Sequence, residues 1–354
     1  MNRLGMRSSG NIRWFADITL NDRATVGGKG GSLGELVRAG ITVPAGFVVS
    51  TTAFEQVLAT LEKQGPIRSR IESLTLQDLR GIRLLSEEAR ARIPAASFPE
   101  DLRAEIIAAH ANLCGENPHW PLAVRSSATT EDAEDASFAG LQDTYLWVTD
   151  AETILKNVLC CWASLYSVPS LAYRLKRKVT ESGVAIAVVV QRMVDARTAG
   201  VMFTRSPLSG DRSVITIEAT WGLGSAIVGG EVTPDRFVIS KITSEISVRE
   251  ISDKHIQHVP AEGGGIKSVK TPEELRRAPC VSDEELATLK MIARKIERHY
   301  GRPQDIEWAI DRSGQVHLLQ SRPETVWSLK DQTPVAKPAE NPLSHVMNIF
   351  GGRR

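Results

Sequence analysis

The chain has 354 residues, 42% hydrophobic and 24% charged, with a formal net charge of +1. That length holds two or more subdomains with their own cores, and the charge leaves no global field for nucleic acid, so any polyanion must be met by a local cluster. Four cysteines (Cys114, Cys160, Cys161, Cys280) lack metal-type spacing, no apolar run reaches transmembrane length, and Met1-Asn-Arg-Leu-Gly5 opens no signal-peptide core, so the expectation is a cytoplasmic protein with reduced thiols.

Residues 21–60 read as loop, helix, strand and helix. Within them stands a lysine in a glycine loop, Gly27-Gly-Lys29-Gly-Gly-Ser32-Leu-Gly-Glu35. Ser32 and Glu35 have capping-box spacing, which predicts a helix start at Ser32, and Gly40 predicts its stop. Lys29 then precedes a helix N-terminus among free backbone N–H groups, which suits an anion. The segment is not a Walker A loop, because Gly30 follows the lysine. Nor is it a dinucleotide fingerprint, because Leu33 takes the place of the third glycine. A flexible turn with a solvated lysine fits the same residues. Residues 66–113 are rich in Arg, Glu and Leu and predict a helical insertion or lid.

Residues 120–148 alternate as strands around a polar loop. Leu122-Ala-Val-Arg125 runs into Ser126-Ser-Ala-Thr-Thr-Glu-Asp132, and Gly140 lies in a second loop before the strand Thr144–Val148. An arginine grips phosphate bidentately, and small hydroxyl residues admit a close ligand; an ordinary polar surface loop reads the same way. Residues 151–182 are helical in pattern. Gly183 breaks into the run Val184–Val190, which ends at Gln191-Arg-Met193. An unbroken apolar run predicts a strand covered on both faces. Its end would offer apolar walls to a purine, or it is a core strand and nothing more. Residues 198–250 predict short strands with glycine-rich loops, and residues 283–300 an amphipathic helix through Leu286, Leu289, Ile292 and Ile296. Helices and strands mix without a regular βαβ rhythm, so the fold class is α+β. The tail from Lys330, with Pro334, Pro338 and Pro342, predicts extended chain.

The last strand pair concentrates polar groups. Ile306, Trp308 and Ile310 alternate with Asp305, Glu307 and Asp311, the period of a half-buried strand. Ser313-Gly314 predicts a two-residue turn. That register sets Glu307 opposite Gln320 and Asp305 opposite Arg322, all on one face. Such a face suits a hard cation beside a phosphate chain, and it equally suits a solvated strand.

In order, "GGKGGSLGEL", "VPAGFVVSTTAF", "VRSSATTEDAEDASFAGLQDTYL", "VVVQRMV", "AGVMFTRSP", "WGLGSAIVGGEVTPD" and "DIEWAID…LLQSRPET" span residues 21–327. The series resembles the nucleotide-binding part of the family of phosphoenolpyruvate synthase, pyruvate phosphate dikinase and rifampicin phosphotransferase. The resemblance implies an ATP-grasp-like fold whose two lobes, 1–195 and 196–328, close on ATP, with residues 329–354 as a tail. It implies Lys29, Arg125 and Arg322 on the phosphates, and Gly140 and Thr144 in the loop over them. Gln191 and the backbone near Met193 would meet adenine. Glu307 and Gln320, with Asp305 beside them, would bind Mg²⁺. The family's phosphohistidine phrase, like Gly-Gly-x-x-Ser-His-Ala, matches none of this chain's histidines; Ser344-His345 comes nearest. The implication is a split phosphotransferase whose partner subunit carries the histidine and the acceptor site. As a free-standing unit it resembles the ATP-binding component of phenylphosphate synthase, which implies phenol as acceptor. A pyruvate- or antibiotic-phosphorylating dikinase and a non-catalytic ATP-sensing scaffold are the other readings. No nucleic acid and no membrane are expected.

Overall fold

The computed structural model describes residues 8–129 and 143–331; Gly140 and the Pro-rich tail beyond 331 lie outside the described residues. Two antiparallel sheets divide the chain between Arg192 and Ala196. The first sheet contains β1 (Ile12–Trp14), β2 (Gly46–Val49), β3 (Leu122–Ala128), β4 (Thr144–Val148) and β5 (Ile186–Arg192), ordered β1-β2-β5-β3-β4. The second contains β6 (Ala196–Phe203), β7 (Val214–Trp221), β8 (Asp235–Ser240), β9 (Ile246–Glu250), β12 (Gln304–Asp311) and β13 (Val316–Pro323), ordered β13-β12-β6-β7-β8-β9. A separate hairpin pairs β10 (Ile256–Pro260) with β11 (Ile266–Lys270). The sheets are purely antiparallel, as an α+β chain without βαβ units requires.

Helices α1 (Arg23–Arg38), α2 (Thr51–Gln64), α3 (Arg68–Glu72), α4 (Leu79–Arg92), α5 (Glu100–Cys114), α6 (Ala151–Ser164) and α7 (Val168–Arg177) belong to the first half. Helices α8 (Ser225–Val228), α9 (Glu273–Arg276), α10 (Asp283–Tyr300) and α11 (Val326–Asp331) belong to the second. The region 66–113 does not stand apart as a lid. Ile71, Ile82, Leu85, Leu102 and Ile106 pack into the first core with Phe54, Trp162 and Val188. In the second half Leu286, Leu289, Ala293 and Ile296 of α10 pack on Ile306, Trp308 and Ile310. The odd-numbered side of β12 therefore faces the other way, toward the first sheet. The capping box at Ser282 and Glu285 starts α10. Among the described residues no helix is long and apolar enough to cross a membrane.

Helix α1 joins the halves. Val26 and Leu33 pack with Val48 and Val189 of the first sheet, while Leu36 enters the core around Trp308. It begins earlier than the Ser32–Glu35 spacing predicts. The capping box that precedes it is Thr19 with Asp22, and Ser32 lies inside the helix. Ser32 is drawn away from a capping role because its hydroxyl donates to the Ser321 carbonyl of β13. The helix is interrupted at Gly27, where φ is 70° and ψ 178°.

Strand β5 is central and buried, flanked by β2 and β3. The β12–β13 hairpin departs from the predicted turn. Asp311 N donates to Gln315 O, so the loop has three residues, with Gly314 at φ 86°. Asp311 holds this loop by accepting from Ser313 N, Ser313 Oγ and Gln315 N. One extra loop residue would shift every pair by one. A β-bulge corrects the shift: Trp308 pairs with Leu318 and Glu307 with Gln320, leaving Leu319 unpaired between them. The expected pairs Glu307–Gln320 and Asp305–Arg322 are therefore present, by a different route.

Candidate functional site

The bulge places Leu319 and Gln320 toward the first sheet and leaves the Leu319 carbonyl outside the β-ladder. Arg125, on β3, reaches across to the Leu319 carbonyl, to Gln320 and to Glu307. Its Nη1 donates to Leu319 O at 2.9 Å, and its Nη2 donates to Gln320 Oε1 at 2.7 Å and Glu307 Oε2 at 2.9 Å. The Arg125 side chain is 11% exposed and the Glu307 side chain 34%. Asp305 lies one inward-facing position further along. Arg322 Nε is 3.5 Å from its Oδ2, while its Oδ1 is buried and has no hydrogen-bond partner among the described residues. Burial pushes the Asp305 carboxyl up to about 6, against the pull of Arg322 and with the Glu324 charge adding to the rise.

Lys29 sits in the first turn after the Gly27 interruption, half-buried. The kink is fixed by Ser127, whose hydroxyl donates to Val26 O at 2.9 Å and accepts from Gly30 N at 3.1 Å. A Cβ at Gly27 would lie 2.0 Å from the Ser127 carbonyl oxygen, so both the positive φ and the close approach require glycine. Ser126 donates to Asp143 O. These two hydroxyls, which the sequence offers to a phosphate, are thus engaged in holding the backbone that carries Lys29 and Arg125.

Thr144 is the direct cross-strand neighbour of Arg125. Gln191 pairs with Ala123, on the same face of the sheet as Arg125, and is buried with its Nε2 donating to Pro44 O at 3.3 Å. Met193 N donates to Pro121 O at 2.8 Å, so its N–H is not offered to a base. Its side chain instead joins an apolar floor of Ala199, Leu223, Ala309 and Leu319. Ala309 is the next inward-facing residue after Glu307, so this floor adjoins the Arg125 cluster. Arg125, Glu307, Gln320, Asp305 and Arg322 are brought together. Thr144, Gln191 and Met193 border them, and Lys29 is tied to their strand through Ser127.

Residues 23–342 match the family model described as pyruvate phosphate dikinase, AMP/ATP-binding domain. The chain belongs to this family. It is 41% identical over 317 residues to a probable phosphoenolpyruvate synthase from Methanothermobacter thermautotrophicus, covering 89% of this chain and 46% of that protein. It is also 41% identical over 310 residues to a rifampicin phosphotransferase from a Streptomyces species, covering 87% of this chain and 35% of that protein. The chain thus spans less than half the length of these relatives. Among solved structures, the biotin carboxylase domain of Hydrogenobacter thermophilus 2-oxoglutarate carboxylase covers 84% of this chain and 40% of its own at 10% identity, with a TM-score of 0.31, too low to support any argument.

For an ATP-binding domain, the donor set at the hairpin is chemically apt. The Arg125 guanidinium takes the position of a cation among a carboxylate, an amide oxygen and a carbonyl. The Oδ1 of Asp305, without a hydrogen-bond partner among the described residues, adds another hard oxygen nearby. Among the described residues no group of three or more His, Cys, Asp or Glu side chains converges as a cation site. Two carboxylates and an amide are the oxygen donors that could hold a divalent cation such as Mg²⁺, which commonly keeps water and phosphate oxygens in its remaining positions.

Three residues escaped the sequence reading. Ser127 has no signal beyond its polar run. Glu218 of β7 lies in line with Glu307 across Val201, and burial raises its carboxyl. Its signal is a lone carboxylate in Val214-Ile-Thr-Ile-Glu-Ala-Thr-Trp221. Trp147, beside the apolar floor, carries no signal in an ordinary strand pattern.

Proposed function

We propose that this chain binds Mg·ATP between its two sheets in an ATP-grasp-like site. We further propose that it passes a phosphoryl group to a histidine on a separate subunit: the β-phosphoryl, the α–β bond breaking to release AMP and the β–γ bond being hydrolysed by one water to release the γ-phosphate as phosphate. The observation that carries the reading is Arg125 joined to Glu307 and Gln320. A group suited to grip phosphate and two oxygen donors suited to Mg²⁺ meet at one point. Lys29 and Arg322 add positive charge that a chain of net charge +1 lacks globally. Mg²⁺, held by Glu307, Gln320 and Asp305, would supply charge neutralisation on the phosphates. The cytoplasm is the proposed location.

The acceptor histidine is better sought outside the two sheets. His317 shares the inner face of the hairpin through its pairing with Ala309, but Asp311 Oδ2 holds its Nε2 at 2.9 Å. The relatives named for phosphoenolpyruvate synthase and rifampicin phosphotransferase support pyruvate or an antibiotic as final acceptor. Phenol, the acceptor suggested by the likeness to phenylphosphate synthase, has no described side chain speaking for it. The purified chain should bind Mg·ATP by calorimetry and form little AMP alone. With a histidine-bearing partner and ATP labelled in the β-phosphate, that histidine should become labelled. Robust phosphorylation of pyruvate, rifampicin or phenol by this chain alone would end the split-enzyme reading. Tight Mg·ATP binding without any labelling would favour the sensing scaffold.

A further inference from the structure

Among the described residues three non-glycine positions have positive φ: Trp147 at 60°, Lys178 at 53° and Ser244 at 69°. Lys178 caps the end of α7, and Ser244 lies in the β8–β9 turn, both places where left-handed backbone is ordinary. Trp147 lies inside β4. There Tyr145 pairs with Val124 and Val148 with Leu122, so Leu146 and Trp147 together oppose Ala123 in a bulge. A left-handed bulge position normally carries glycine, and a bulky aromatic there is strained. Such strain persists only where the surroundings enforce it, and it clusters at ligand sites.

The surroundings come from the other half of the chain. Gly265 N donates to Trp147 O at 3.1 Å. Gly265 belongs to the tip of the β10–β11 hairpin, where Gly263, Gly264 and Gly265 have φ of 85°, 104° and 75°. A Cβ on Gly264 would stand 3.5 Å from the same carbonyl. The bulge turns the Trp147 side chain onto the apolar floor of Ala199, Ala309, Leu223, Met193 and Leu319. Ala199 and Ala309 are cross-strand partners. Two methyl groups side by side make a flat surface, and it begins one inward-facing position, about 7 Å, from Glu307.

We propose that Trp147 is the aromatic residue against which the base of the bound nucleotide packs, with the β10–β11 hairpin as the strap that holds it in place. A triphosphate anchored at Arg125, Glu307 and Gln320 directs its base along the alanine floor toward Met193 and Trp147. The ligand class is a purine nucleoside triphosphate; a bare polyphosphate gains nothing from the indole. This inference rests on reading the site as a nucleotide site.

The test compares Mg·ATP with Mg·tripolyphosphate on the full chain by calorimetry. Trp147→Ala should weaken Mg·ATP about tenfold, within the range of a base–aromatic stack, and leave Mg·tripolyphosphate unchanged; Trp147→Phe should restore most of the loss. Equal losses for both ligands would mean a purely structural role and overturn the assignment, as would unchanged ATP affinity in Trp147→Ala. Thermal melting checks that each variant is folded, and quenching of tryptophan emission by ATP should be smaller in a folded Trp147→Phe than in wild type. A wild-type chain that binds tripolyphosphate as tightly as ATP would overturn the base contact as a whole. Binding of neither ligand would end the nucleotide reading itself.

Discussion

Arg125 Nη2 lies 2.9 Å from Glu307 Oε2, although the residues are 182 positions apart and sit on different sheets. A divalent cation at the proposed site would compete with the guanidinium for the same oxygens. Mg²⁺ sits about 2.0–2.1 Å from its ligands, which leaves no place for Nη2 between Glu307 and Gln320. At the proposed Mg·ATP site Arg125 would have to release them, and its charge would then be available to the phosphates. Arg125→Gln should therefore bind Mn²⁺ alone more tightly than wild type, because the competitor is gone. It should bind Mg·ATP about tenfold more weakly, because a charge-assisted contact to phosphate is lost. Mn²⁺ resonance titration and calorimetry read the two effects separately.

Glu307→Gln keeps shape and removes charge. Loss of a direct ligand should cost metal affinity at least as much as loss of an outer partner, about 10–100-fold. The carboxylate is also the charge partner of Arg125, whose side chain is 11% exposed, so stability should fall by about 1–3 kcal/mol with the chain still folded. Mn²⁺ titration in the presence of ATP, alongside thermal melting, checks both; unchanged metal affinity would remove Glu307 from the site.

Asp305 gives the pH test. Its folded pKa is about 6, raised from 3.8, so the folded chain holds this proton more tightly than the unfolded chain does. The stability linked to it is present in full below pH 4 and is lost as pH rises through about 6. The difference corresponds to about 3 kcal/mol above that window. In EDTA, Asp305→Asn should match wild type below pH 4 and exceed it in stability above pH 6, measured by urea unfolding across pH. Parallel curves at all pH values would refute the burial argument.

Gly27 and Ser127 set the approach of α1 to β3. Gly27→Ala meets the Ser127 carbonyl at 2.0 Å with φ at 70°, and should destabilise by about 2 kcal/mol or more. Ser127→Ala removes the bonds to Val26 O and Gly30 N and should cost about 1–3 kcal/mol. Both should also weaken Mg·ATP by displacing Lys29. Melting and calorimetry on the same samples decide whether stability and binding fall together.

Much of the fold is legible locally. The alternation in β12, the unbroken run of β5 and the amphipathic stripe of α10 each state which side chains meet a core, since burial imposes the period of the element. The turn was not legible. Ser313-Gly314 permits a two-residue loop, but the Asp311 carboxylate gathers Ser313 and Gln315 around a three-residue one, and only the bulge at Leu319 restores the pairing. Ser32 misled because capping-box spacing takes no account of Ser321, 289 positions away, which claims its hydroxyl.

The sequence by itself determined the alternating faces, the α+β class and the set of polar groups available for phosphate and metal, because these follow from short-range periodicity and side-chain chemistry. Only the tertiary structure decided that Arg125 closes on Glu307, Gln320 and the Leu319 carbonyl, that Ser127 spends its hydroxyl on the Gly27 kink, and that Trp147 is held left-handed by Gly265. Each depends on two segments meeting across the two sheets. Local pattern records that a residue faces inward; it carries no record of what stands opposite.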